Sequence, residues 1–226
     1  EFADKPSSLS TKHFSKDNFG NNKKWIVGNS GGLDSAVTLS LLTIALGKEF
    51  VISYNLKSKY NSRKTINNAQ HLANQLGIRH SSHAIDDAVE GYLKTLEAFN
   101  YDYIPTLAFE NIQARTRGHL LGGFSSLEDA IISNNGNKLE IMLGYATLYG
   151  DTIGALSSIG DLTKVEVFEL ALEINEYFKR EVIPTNLLPK VENYTVSFDL
   201  PLTAEVKSDQ VDPMKWYYHD LLTELV

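Results

Sequence analysis

The segment Ser30-Gly31-Gly32-Leu33-Asp34-Ser35 sets two glycines and two hydroxyls around one carboxylate. It follows the apolar run Trp25-Ile26-Val27-Gly28 and opens a run of helix formers from Ala36 to Leu46. A strand, a small-residue turn and a helix start in that order expose several backbone N–H groups, and the helix dipole adds partial positive charge at the same point. Such a turn suits an anion the size of pyrophosphate. A carboxylate beside a phosphate site suits a bridging Mg²⁺. The segment is not a Walker A loop, because Leu33-Asp34 stands where that loop has Lys-Ser/Thr, and it is not GxGxxG. A glycine-rich turn capped by Asp and Ser is also an ordinary way to join a strand to a helix, so the segment alone leaves both readings open.

Three more segments carry chemistry-bearing residues. Glu110-Asn111-Ile112-Gln113-Ala114-Arg115-Thr116-Arg117 places two arginines in a polar helix start, and Arg suits bidentate contact with phosphate or carboxylate. Asn135-Gly136-Asn137-Lys138-Leu139-Glu140 follows a strand-like run, and Gly144-Tyr145-Ala146-Thr147-Leu148-Tyr149-Gly150-Asp151 comes soon after. Glu140 is a second candidate metal carboxylate, and the tyrosines could stack on a ring or simply pack. Lys164 begins a helix, where a cation is unfavourable unless an anion lies near. His80 and His83 form H-x-x-H without a third ligand, which reads as two surface histidines rather than a metal site.

The elements that must position these residues alternate. Strands are predicted at Trp25–Gly28, Phe50–Leu56, within Ile78–Ala84 and at Ala130–Ser133. Helices are predicted at Ser35–Leu46, Thr65–Leu76, Asp86–Phe99, Asn111–Phe124 and Thr163–Phe178, the last with a Thr163/Glu166 capping box. Alternation of this kind implies an α/β fold with a parallel sheet covered on both faces, and ligands on such sheets bind at the carboxyl ends of the strands. Residues 1–22 read as an irregular, polar lead-in, and residues 23–226 as one domain.

Composition narrows the function classes. A net charge of −7 argues against a broad nucleic-acid surface. The chain has no cysteine, which excludes disulfides and thiolate nucleophiles and fits a cytoplasmic setting. No run is long and apolar enough to suggest a membrane span, and the polar first twenty residues predict no signal peptide.

Taken together, the segments at 30–35, 110–117, 136–140, 144–151, 161–164 and 203–206 resemble the NAD synthetase family, whose Rossmann-like, adenine nucleotide α-hydrolase-like domain carries a PP-loop. The resemblance runs from about Lys24 to Leu225 and is closer to the synthetase domain of glutamine-dependent members. It implies a ligase that adenylates deamido-NAD with ATP, releases pyrophosphate, and lets ammonia displace AMP to give NAD. It implies ATP contacts from Gly28, Ser30, Gly31, Gly32, Asp34, Ser35, Asn135, Lys164 and Thr203, with Asn135 standing where the family usually has threonine. It implies deamido-NAD contacts from Asn111, Arg115, Tyr145, Thr147, Leu148 and Asp151. Asp34 and Glu140 are implied Mg²⁺ ligands, and with Lys164 the catalytic set. The family forms homodimers. A chain without cysteine cannot carry a cysteine glutaminase, so ammonia is expected from solution or from a glutaminase domain elsewhere in a longer polypeptide. Two alternatives are a PP-loop synthetase domain acting on a purine nucleotide or tRNA, and a nucleotide-binding fragment without catalysis.

Overall fold

Buried residues alternate along Trp25, Ile26 and Val27, so one short strand feeds two separate cores. The computed structural model describes residues 6–20, 22–192, 195–197, 199–200, 207 and 218–224. Five parallel strands, Lys24–Gly28 (β1), Val51–Lys57 (β2), Arg79–Ala84 (β3), Ala130–Asn134 (β4) and Leu156–Ser157 (β5), form a sheet in the order β3-β2-β1-β4-β5. The order reverses between β1 and β4. That point is where open α/β sheets leave a crevice at the strand carboxyl ends.

The helices are Pro6–Phe19 (α1), Leu33–Leu46 (α2), Arg63–Leu76 (α3), Asp86–Ala98 (α4), Thr106–Glu128 (α5), Lys138–Leu143 (α6), Lys164–Phe178 (α7) and Tyr218–Glu224 (α8). A short antiparallel pair, Lys190–Glu192 (β6) with Thr195–Ser197 (β7), lies outside the main sheet. Trp25 and Val27 join Leu39 and Leu42 of α2, Leu72 of α3 and Ile174 of α7 in one core. Ile26 and Ile52 join Val89 of α4 and Ile112 and Leu121 of α5 in the other. The expected α/β architecture is present. Among the described residues, no helix is long and apolar enough to cross a membrane.

Three local differences from the sequence reading have physical causes. Residues 6–19, expected to be irregular, form α1. Its polar composition hides a packed face: Ser15 accepts a 3.0 Å hydrogen bond from the Trp25 indole, and Phe14 and Phe19 meet the Trp25 ring edge-on. Tertiary contact, more than propensity, holds such a helix. Helix α5 begins at Thr106, just after Pro105, rather than at Asn111. The third difference is His80, expected on the surface. It is half-buried, and its Nδ1 lies 2.8 Å from Ser53 Oγ while Nε2 is buried with no partner among the described residues. His83 is exposed.

Burial pushes the His80 imidazole below its ordinary value. As pH falls through the ordinary histidine range, the unfolded chain takes up a proton that the folded chain refuses. This contribution to stability is therefore present above that range and lost as pH falls. Urea unfolding midpoints should drop between about pH 7.5 and about pH 5.5, and His80→Asn should lose less across that interval. An identical loss in the variant would assign the drop to other groups.

Candidate active site

The turn after β1 is built to present backbone. Gly31 has φ +79°, and a Cβ there would fall 1.9 Å from the Thr65 carbonyl oxygen. Helix α2 starts at Leu33 with Gly32 at its cap, and Asp34 and Ser35 occupy the first turn. Ser30 Oγ accepts from the Gly32 amide at 3.2 Å and lies 3.2 Å from Ser35 Oγ, which donates to the Gly32 carbonyl. The two hydroxyls thus brace the turn from inside.

Three charged groups meet at the mouth of the turn. The Lys164 ammonium, with the residue only 3% exposed, pairs with Asp34 Oδ2. That ion pair explains a cation at a helix start: the anion it needs sits on the first turn of α2. The Lys164 backbone amide donates to Asp220 Oδ1 of α8 at 3.2 Å. Asn137, fully buried, links the carboxylates: its Oδ1 accepts the Glu140 amide, its backbone amide donates to Glu140 Oε2, and its Nδ2 lies 3.4 Å from Asp34 Oδ1. Its role escaped the sequence reading. The signal was present as an Asn-x-x-Glu capping box opening α6.

A cavity of about 540 Å³ opens here, at the carboxyl ends of β1 and β4. On one side it is lined by Gly28, Ser30, Gly32, Asp34, Ser35, Asn135, Glu140 and Lys164. Asn135 Nδ2 donates to the Gly28 carbonyl at 2.8 Å, and its Oδ1 is buried with no hydrogen-bond partner among the described residues. The far side is lined by Tyr145, Leu148 and Asp151 together with Arg117, Gly118 and Leu121 of α5. Gly31 supports the turn from behind rather than lining the cavity. Thr203 lies outside the described residues.

The two arginines separate. Arg117 lines the cavity and its Nε donates to the Leu56 carbonyl at 2.8 Å, whereas Arg115 is exposed and its Nε donates to the Leu148 carbonyl at 3.2 Å. Residues two apart on a helix point to opposite sides. Ala114, Gly118 and Leu121, at helical spacing, mark the cavity face. Asn111 and Thr147 also sit behind the wall, joined by a 2.8 Å hydrogen bond that ties α5 to the loop. The loop is folded on itself by Asp151, which accepts from the Thr147 amide. Loss of water around the Asp151 carboxyl pushes it above the usual carboxylate range, and the bonds from Thr147 partly offset that.

Residues 10–217 match the family model described as NAD synthase. The chain is 36% identical over 204 residues to the glutamine-dependent NAD(+) synthetase of Thermotoga maritima, covering 90% of this chain and 34% of that protein. It is 36% identical over 167 residues to the NH(3)-dependent NAD(+) synthetase of Fusobacterium nucleatum, covering 74% of this chain and 60% of that one. The structure of the glutamine-dependent NAD+ synthetase from Acinetobacter baumannii in complex with ADP superposes with a TM-score of 0.77 at 32% identity, covering 83% of this chain and 36% of that one. The chain spans about a third of the length of the glutamine-dependent relatives it matches.

The wall opposite the phosphate turn depends on backbone touching backbone. A Cβ at Gly118 would lie 2.4 Å from the Tyr149 carbonyl oxygen, whereas one at Gly123 would meet nothing within 4 Å. Gly118→Ala should therefore cost about 1–3 kcal/mol in chemical denaturation despite the better helix former. Gly123→Ala should be neutral or stabilising by up to about 1 kcal/mol. Equal effects at the two positions would contradict the packing described.

Proposed function

The chain belongs to the NAD synthase family, and we propose that it performs the family reaction on deamido-NAD: adenylation by ATP, then amidation by ammonia. The observation that carries this reading is the convergence of Asp34, Lys164 and Glu140 on the phosphate turn, inside one cavity whose opposite wall is the 144–153 loop and α5. One space can then hold a triphosphate and a second anionic substrate side by side.

In the first step a nicotinate carboxylate oxygen bonds to the α-phosphorus, and the bond from that phosphorus to the bridging oxygen breaks as pyrophosphate leaves. In the second, ammonia attacks the acyl carbon, AMP departs, and a proton is released. No protein nucleophile takes part. The protein's task is to bring two anions together, which rests on positioning and on charge compensation. The first amides of α2 and the Lys164 ammonium face the phosphates. Asp34 keeps that ammonium in place while the site is empty of anion. The Asn135 carbonyl accepts from a nucleotide N–H or O–H group, and Arg117 faces the anionic end of the second substrate. Tyr145 and Leu148 bound the space around its ring.

Asp34 and Glu140 are the residues that would hold Mg²⁺. The fit is good, since Asn137 contacts both carboxylates at the cavity mouth and Mg²⁺ takes one or two carboxylates plus phosphate oxygens. Bound there, the ion would spread the negative charge of the phosphate chain. A homodimer and a cytoplasmic setting belong to the same proposal, as does an ammonia supply from solution or from a glutaminase domain on a longer polypeptide.

With ATP, MgCl₂, ammonium chloride and deamido-NAD, the chain should release pyrophosphate and form NAD in equal amounts. Asp34→Ala and Lys164→Ala should each lower kcat by about 10²–10³-fold. Xanthosine monophosphate in place of deamido-NAD should give no pyrophosphate. Pyrophosphate release no faster from the unaltered chain than from Asp34→Ala would end the catalytic reading.

A further inference from the structure

The phosphate turn is held from beneath by a buried asparagine. Asn29 precedes Ser30 and is 1% exposed, and every polar group it has is engaged. Its Oδ1 accepts from the Gly31 amide at 3.1 Å. Its Nδ2 donates to Ser53 Oγ at 3.0 Å and to the Ala69 carbonyl of α3 at 3.1 Å. Its backbone amide donates to the Tyr54 carbonyl at 2.8 Å, and its own carbonyl accepts from Asn55 Nδ2 at 2.7 Å. Asn29 is thereby pinned to β2 and α3 at once, and its side-chain oxygen sets where Gly31 lies.

The chain of bonds runs on across the sheet. Ser53 is fully buried and stands beside both Val27 of β1 and His80 of β3 in the strand register. Because the Asn29 amide nitrogen only donates, Ser53 Oγ accepts from it, and the same oxygen lies 2.8 Å from His80 Nδ1. One polar line, His80–Ser53–Asn29–Gly31, runs from β3 through β2 to the turn after β1. It runs through the face that otherwise carries the apolar core of Trp25, Val27 and Leu72. Buried amides and hydroxyls in an apolar layer are costly unless bonded, and the bonds that Asn29 and Ser53 make tie the turn to β2 and α3 in one geometry.

A turn that binds phosphate through backbone must have its amides in place beforehand. Gly31, at φ +79° and hard against the Thr65 carbonyl, has no side chain to lock it. We propose that Asn29 is the positioning residue of the phosphate turn, and that Ser53 and His80 hold Asn29 in register from the edge of the sheet. The inference rests on the reading of this turn as the ATP phosphate site.

The test separates nucleotide affinity from turnover. ATP binding is measured by calorimetry with Mg²⁺, and steady-state constants are measured for ATP and for deamido-NAD. Asn29→Leu should weaken ATP binding and raise its KM by about tenfold or more, the loss expected when a buried bond that orders the turn is removed. The KM for deamido-NAD should stay within about twofold, a split that general loss of structure does not produce. Ser53→Ala and His80→Leu should each weaken ATP by about threefold to tenfold, His80→Asn should restore most of that, and neither loss should add to Asn29→Leu. ATP affinity unchanged in a folded Asn29→Leu variant would overturn the proposal. If that variant does not fold, an unchanged affinity in Ser53→Ala would overturn it equally, as would fully additive losses. Should the unaltered chain bind ATP but make no NAD, the catalytic reading fails while the calorimetry still decides the role of Asn29.

Discussion

The pair between the buried Lys164 ammonium and the partly exposed Asp34 carboxylate fixes the cavity end of the molecule. An ammonium almost wholly removed from water must be matched by an anion or it destabilises the fold by several kcal/mol. The anion it has is the carboxylate in the first turn of α2, so the starts of α2 and α7 cannot drift apart. Asp220 adds α8 to the same junction through the Lys164 amide, and Asn137 adds α6 through the other Asp34 oxygen. Four helices are gathered at this end by a handful of polar contacts, beside the apolar core that Leu33 and Val37 of α2 form with Val167 and Phe168 of α7. The turn after β1 runs directly into α2 while Asn29 holds it from beneath, and Asn137 holds Glu140.

The opposite wall obeys a different rule. Where α5 crosses the loop ahead of β5, the approach is too close for side chains: a Cβ at Gly150 would come within 2.9 Å of Ala114. Steric exclusion, not charge, sets the width of the cavity there. The site is thus closed on one side by electrostatics and on the other by bare backbone.

How legible these features were depends on how local their causes are. Strands β1 to β4 and the helices between them follow from periodicity within each segment and appear within a few residues of where the pattern places them, whereas the two-residue β5, too short to show a period, was not predicted. The phosphate turn was readable because its glycines, hydroxyls and carboxylate lie in one short stretch. Helix α1 was not, because Ser15 and Phe14 look like lead-in residues until Trp25 is placed against them. Lys164 looked odd at a helix start, but its reason lies 130 residues away in Asp34. Asn29 is harder still: in sequence it is one polar letter before a serine, and its partners lie on β2 and α3. The division of labour between Arg115 and Arg117 was readable in principle, since helical spacing puts only one of them on the face of Gly118 and Leu121.

The docking of α1 gives the molecule a built-in optical reporter. The chain has two tryptophans, and one of them, Trp25, is completely enclosed with its indole N–H held by Ser15 and its ring edged by Phe14 and Phe19. An indole enclosed in this way meets water when α1 lifts away or the sheet opens, and its emission is then expected to shift to the red. Trp25 lies near the start of β1 and the Ser30–Ser35 turn beyond its carboxyl end, so the residue reports first on the attachment of the first helix.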